Sequence, residues 1–181
     1  MSSALYFLMI AALAAPALGY STGAPEDACV DMVPQHHTPA QTSAAPYILA
    51  TSRKAIRGGD EVTLTVSGKG AADKIRGFMV QARQGSNIVG SFKVDANDNF
   101  VQLMNCGSGK GNSVTHKKHD EKDDKRSFKV TWVAPKDLKN DIEFRNKETQ
   151  FSALPCKYDI RVTDHSGKPG SLETIIHIII M

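Results

Sequence analysis

Apolar residues recur at every second position through the middle of the chain. Residues 61–67 alternate cleanly, with Val62, Leu64 and Val66 on one side and Glu61, Thr63, Thr65 and Ser67 on the other, the mark of a strand with one buried and one wet face. Phe128, Val130 and Trp132 repeat the pattern against Lys129, Thr131 and Val133 until Pro135 ends it, because proline cannot donate to a ladder. Residues 75–83 differ in being apolar on both sides: Phe78, Val80 and Ala82 project one way, Ile75, Gly77 and Met79 the other. Such a strand belongs at the centre of a packed sandwich. Shorter strand-like runs surround it at 47–52, at Ile88, Gly90, Phe92 and Val94 sharing one face, at 100–105, and from 141 to 145. Turn chemistry separates them at 57–60, 67–70, 84–87 around Gly85, and 95–99, where Gly, Asn, Asp and Ser supply the required backbone shapes. Repeated short strands with almost no helical period predict an all-β antiparallel sandwich.

The polar stretches refine this picture. Residues 107–126 form the longest of them and read as a solvated loop. The net charge of +3 comes from interspersed Lys, Arg, Asp and Glu, so there is no basic stripe and nucleic acid is not an expected partner. A length of 181 residues suits one domain with a proper core. Residues 4–18 are apolar and uncharged but too short for a usual membrane span, and Ala17, Leu18 and Gly19 give the small-x-small pattern of a cleaved secretory signal. Residues 1–19 are therefore expected to be removed after Gly19, with localisation outside the cell. Residues 20–46, rich in Pro, Ala, Ser, Thr and His, read as a covering arm.

Secretion changes how Cys29, Cys106 and Cys156 are read, since in an oxidising compartment two would pair and one would be left over. Three pairings are open. A bond from Cys29 to Cys106 would close a long loop and contribute about 4 kcal/mol through the unfolded state.

Candidate chemistry is sparse. His36 and His37 lack the partner spacing of a closed zinc site. His116, His119 and Asp120 could face one side of a helix turn as metal ligands, yet the HExxH pattern and its general base are missing. Asp95, Asn97 and Asn99 have the one-three-five spacing of a calcium loop, but Phe100 stands where Gly is needed and Cys106 where a bidentate Glu is needed, so an Asx-rich turn is expected. No phosphate-cradling GxxxxGK followed by Ser or Thr occurs in 107–126. Trp132, the single tryptophan, is read as a core anchor. No catalytic residues, metal or cofactor are expected. The candidate surface-binding residues are Lys117, Lys118 and Lys125, cations that could meet anionic phosphates, opposed by Asp120, Glu121, Asp123 and Asp124 in the same stretch.

Taken together, ACVDMVPQHH around Cys29, GFMVQAR, LMNCG at Cys106, and FKVTWVAP followed by DIEFR resemble the Reeler (reelin-type) domain family, and within it the small secreted insect defense proteins built from one such domain. The resemblance covers residues 19–145. It implies an immunoglobulin-like β-sandwich, secretion into haemolymph, and a non-enzymatic antimicrobial or nodulation role through binding microbial surface polysaccharide or lipopolysaccharide. An extracellular structural or adhesion module is the alternative. It also implies a Cys29–Cys106 disulfide, with GFMVQAR and Trp132 in the core. Family members continue with a closing strand of the type TVVQ and then FWV, and neither is found in residues 146–181. The expected organisation is a signal at 1–19, a Reeler-like domain at 20–146 and a divergent segment at 147–181, arising from a splice form or gene-model error and leaving Cys156 as the odd thiol. Residues 157–163 and 174–180 are strand-like and could improvise the closing strand, but IIHIIIM reads as an unguarded apolar edge, too short to span a bilayer.

Overall fold

The computed structural model describes residues 21–33, 46–53, 55–138, 142–146, 156–164 and 174–180. After a one-turn helix α1 (Ala28–Asp31), the described chain runs through β1 (Tyr47–Thr51), β2 (Ala55–Ile56), β3 (Glu61–Gly68), β4 (Phe78–Gln84), β5 (Asn87–Ile88), β6 (Ser91–Lys93), β7 (Val101–Met104), β8 (Ser113–His116), β9 (Ser127–Val133), β10 (Ile142–Asn146), β11 (Cys156–Asp164) and β12 (Thr174–Ile180). Two antiparallel sheets result, one in the order β1-β3-β9-β6 and the other β2-β10-β11-β12-β4-β8-β7, with β5 hairpinned onto β4.

The alternation in β3 and β9 produces one wall of the core. Val62, Leu64 and Val66 are at most 1 % exposed and pack beside Phe128, Val130 and Trp132. Phe78, Val80, Ala82, Val114, Ile178 and Ile180 face them from the second sheet. The Phe78 ring stacks on Phe128 across the gap, with centroids 3.8 Å apart. Trp132 is fully buried and donates its indole N–H to Val89 O at 3.1 Å, so the one polar atom of this core anchor is satisfied.

Four sequence expectations are corrected here. The central strand starts at Phe78 and not at 75. Ile75 instead makes an isolated bridge with Lys125 and enters the same core as Phe78, because the pleat does not continue through Arg76 and Gly77. Ile88 and Phe92 do not share a face. Gly90, at φ 71°, carries the chain from β5 on one sheet to β6 on the other, leaving Ile88 against the disulfide and Phe92 in the main core. A Cβ at Gly90 would lie 2.5 Å from both Trp132 Nε1 and Val133 O, so this sheet-switching corner requires glycine.

The third correction concerns 107–126, which is not one solvated loop: it contains β8, whose four residues are all buried between β4 and β7. Ser113, Thr115 and His116 are polar, so the strand lacks an apolar alternation, yet Thr115 Oγ1 donates to Phe78 O at 2.8 Å and Ser113 Oγ donates to Cys106 Sγ at 3.2 Å. Finally, IIHIIIM is no edge. β12 lies between β11 and β4, paired with β4 over seven positions from Thr174↔Gln84 to Ile180↔Phe78, and Ile178 and Ile180 are buried in the core. An interior position satisfies both rows of backbone groups that an exposed edge would offer to other chains.

Candidate functional site

The segment leaving β8 is shaped by a network of polar side chains. The His119 ring lies edge-on to Phe100 at 4.8 Å, with Nδ1 2.7 Å from Lys117 O and Nε2 3.2 Å from Asp124 Oδ1. Asp124 Oδ2 accepts from Arg76 Nε at 3.1 Å, and the same guanidinium reaches Glu121 Oε1 at 2.6 Å. Hydrogen bonds donated to Glu121 and then to Asp124 hold the Arg76 guanidinium above its ordinary range. A single 3-10 turn at Glu121–Asp123 completes the segment, and the Ile75–Lys125 bridge returns it to the sheet.

On this frame sits a cavity of about 370 Å³ whose lining includes Phe100, Lys118, His119, Asp120, Asp123 and Lys125. Of the three candidate surface-binding lysines, Lys118 and Lys125 therefore meet in one cavity. Lys117 is directed elsewhere: its ammonium donates to Asp98 O. Two lysines and two aspartates among its lining residues form a set suited to a hydroxylated ligand that carries an anionic group. The ammoniums match phosphate or carboxylate, and the carboxylates accept from hydroxyls.

The histidines are not set on a helix turn. His116 ends β8 with its ring centroid 6.1 Å from that of His119, and His116 Nδ1 lies 3.3 Å from Phe78 N. Among the described residues, no group of three or more His, Cys, Asp or Glu could hold a metal ion. The 95–99 turn is closed by Asp95 Oδ1 accepting from Asn97 N and Asp98 Oδ1 accepting from Phe100 N and Val101 N. His36, His37 and the signal segment 1–19 lie outside the described residues.

A second constellation, which the period-two reading did not isolate, lies on the opposite face of β4. The arm is fastened there by a Cys29–Cys106 disulfide, with Cα atoms 5.5 Å apart and a sequence separation of 77. Around it, Ala28, Met32 and Met79 form a small apolar cluster. Arg83 donates from Nη1 to Val30 O at 2.8 Å, from Nη2 to Cys29 O, and from Nε to Gln81 Oε1 at 2.9 Å. Burial beneath the arm pushes this guanidinium below its ordinary range, and Asp31 opposes the shift. Gln81 and Ser113, both fully buried, direct Nε2 and Oγ to Cys106 Sγ at 3.1 and 3.2 Å. The available signal was the row Met79, Gln81, Arg83, which alternates with Phe78, Val80, Ala82 and so had to face a second cover.

An all-β sandwich with a disulfide-fastened N-terminal arm is thus the class of protein defined by fold and site. The Reeler domain family model matches residues 27–152, and the chain belongs to the Reeler family, among its insect defense proteins. It is 48% identical over 139 residues to "Putative defense protein Hdd11" of Hyphantria cunea, covering 77% of this chain and 84% of that one. It is 33% identical over 138 residues to "Defense protein l(2)34Fc" of Drosophila melanogaster, covering 76% and 82%. Among solved structures it is similar to the Reelin-N domain of F-spondin, at 16% identity and a TM-score of 0.45, covering 75% of this chain and 87% of that one. The family match ends before β11, so β11 and β12 lie beyond the matched residues. Among the described residues no helix is long and apolar enough to cross a membrane.

Proposed function

We propose that this chain is a secreted, non-enzymatic defense protein that binds acidic microbial surface glycans, such as lipopolysaccharide, through the cavity framed by Lys118 and Lys125. The observation that carries the reading is that Lys118 and Lys125 line one cavity with Asp120 and Asp123. A phosphate or carboxylate on the glycan would sit between the lysines while the carboxylates accept from neighbouring sugar hydroxyls. The defense names of the relatives support the biological role. The signal-like residues 1–19 and the disulfide fit an oxidising compartment.

The test is binding to whole Gram-negative bacteria and to purified lipopolysaccharide over a range of salt. Affinity should fall as salt rises, because exposed charges are screened within about 8–10 Å at physiological ionic strength. The double variant Lys118→Gln, Lys125→Gln should lose about tenfold at low salt, equivalent to about 1.4 kcal/mol. Lys117→Gln should change little, since its ammonium is already engaged by Asp98 O. Affinity indifferent to salt and to the double variant would overturn the reading.

A further inference from the structure

The arm meets the sheet in an unusual way. Over residues 21–33, the arm's hydrogen bonds to the sheet run through sheet side chains: Gln102 Nε2 to Thr22 O at 2.8 Å, Ala24 N to Thr115 Oγ1 at 2.8 Å, and Arg83 to the carbonyls of Cys29 and Val30. The backbone bonds within the arm are local, such as Cys29 N to Glu26 O and Met32 N to Ala28 O. The arm is therefore a lid laid over a finished sheet and fastened by one covalent bond, not an added strand. Beneath it lies a mixed face, with Met79 apolar and Gln81, Arg83 and Ser113 polar. Gln81 and Ser113 are fully buried yet donate to a disulfide sulfur, a weak acceptor. Arg83 turns two nitrogens of its fork to two successive arm carbonyls, where its geometry matches the paired oxygens of a phosphate or carboxylate. The arm carbonyls thus fill both arms of the fork.

We propose that the arm is a redox-released cover: a dithiol reductant opens Cys29–Cys106, and the uncovered face of β4 and β8 binds, through Arg83 with Gln81 and Ser113 beside it, an oxyanion carried on a hydroxylated ligand such as a sugar phosphate. This site is separate from the Lys118 and Lys125 cavity. The exchange has a direction. A thiolate of the reductant attacks Cys29 Sγ, a new S–S bond forms there, and the old S–S electron pair leaves on Cys106 Sγ. Gln81 and Ser113 already direct hydrogens to that sulfur, and donors to a leaving thiolate speed its departure. The reductant's second thiol then displaces Cys29, so the dithiol ends as a disulfide while the two cysteines gain two electrons and two protons. Cys106 stays with the sheet, because Asn112 clamps its backbone from both sides, at 2.8 Å from Cys106 N and 2.9 Å to Cys106 O. Cys29 leaves with the arm, and its carbonyl releases the guanidinium.

The test uses the full chain with and without dithiothreitol, and glucose 6-phosphate as probe against glucose as control. Binding through the lysine cavity is present in both redox states and is subtracted. Reduction should tighten glucose 6-phosphate binding by about tenfold or more, as expected for a newly freed bidentate guanidinium, leave glucose binding unchanged, and leave the far-ultraviolet β signal intact. Arg83→Gln should abolish the gain. As a second, independent readout, a monothiol such as glutathione should be trapped as a mixed disulfide on Cys29, located by peptide mass mapping, and Ser113→Ala should slow that trapping. No gain on reduction, a gain that survives Arg83→Gln, trapping on Cys106, or collapse of the fold on reduction would each overturn the proposal.

Discussion

On one face of β4, Phe78, Val80 and Ala82 meet the opposite sheet through apolar contact alone, while on the other Met79, Gln81 and Arg83 meet the arm through a disulfide, a guanidinium and a small sulfur-rich cluster. The two faces belong to one strand and alternate residue by residue, so backbone propensity cannot account for the difference. What differs is the partner. The inner face meets a wall built from β3 and β9, where non-directional burial is enough and many apolar residues of similar size would serve. The outer face meets a segment with a single helical turn, which brings too little apolar surface to hold itself down and is fixed by directional bonds and one cross-link instead.

If this division is right, the inner face should give the largest stability effect. Phe78→Ala removes a fully buried ring that stacks on Phe128 at 3.8 Å and touches Phe100 at 5.6 Å, and should cost about 3–5 kcal/mol. Urea unfolding followed by circular dichroism would show it as a lower midpoint. The outer-face cross-link comes next. Cys29→Ala with Cys106→Ala should cost about 2–4 kcal/mol, because closing a long loop restricts mainly the unfolded chain. Its signature is different: proteolysis should begin in the arm, while β3 and β9 stay protected from hydrogen exchange. Simultaneous loss of arm and sheet protection would break the comparison, since it would make the arm part of the main core.

The same division decides what was legible in the sequence. β3 and β9 could be read directly because their partner is water on one side and an apolar wall on the other, so the residues alternate as the environment does. β8 could not. Its environment is buried on both faces but polar beneath the arm, and Ser113, Thr115 and His116 look like loop residues until Phe78 O and Cys106 Sγ are known to receive them. β12 was visible as a strand that could close the sheet but was expected at an edge, since an isoleucine-rich run broken only by His177 carries no sign of whether both of its edges are paired. Of the cavity, Lys118 and Lys125 were legible as cations. Their separation from Lys117 was not, because it depends on the 95–99 turn bringing Asp98 O to the Lys117 ammonium.

A finer cut lies within the outer face. Thr115 ties two strands of one sheet to the arm, donating to Phe78 O and accepting from Ala24 N, both at 2.8 Å. Thr115→Val keeps the shape, leaves a carbonyl and an arm N–H without this partner, and should cost about 1–3 kcal/mol by the desolvation of groups left unsatisfied. A thermal melt with the disulfide intact would measure it without interference from arm release.

The smallest effect should come from Gln81→Leu. Its amide is fully buried, which ordinarily makes loss expensive, but the acceptor at 3.1 Å is a disulfide sulfur, and sulfur accepts weakly. Leucine fills a similar volume beside Met79, and the half-buried Arg83 Nε that loses Gln81 Oε1 keeps its two arm carbonyls through Nη1 and Nη2. Replacing a poorly paired polar group by an apolar one of similar shape is close to neutral, so the cost should stay below about 1 kcal/mol. A loss as large as that of Thr115→Val would mean that the hydrogen bonds around Cys106 hold the arm in place. The outer face would then resemble a polar core more than a fastened cover.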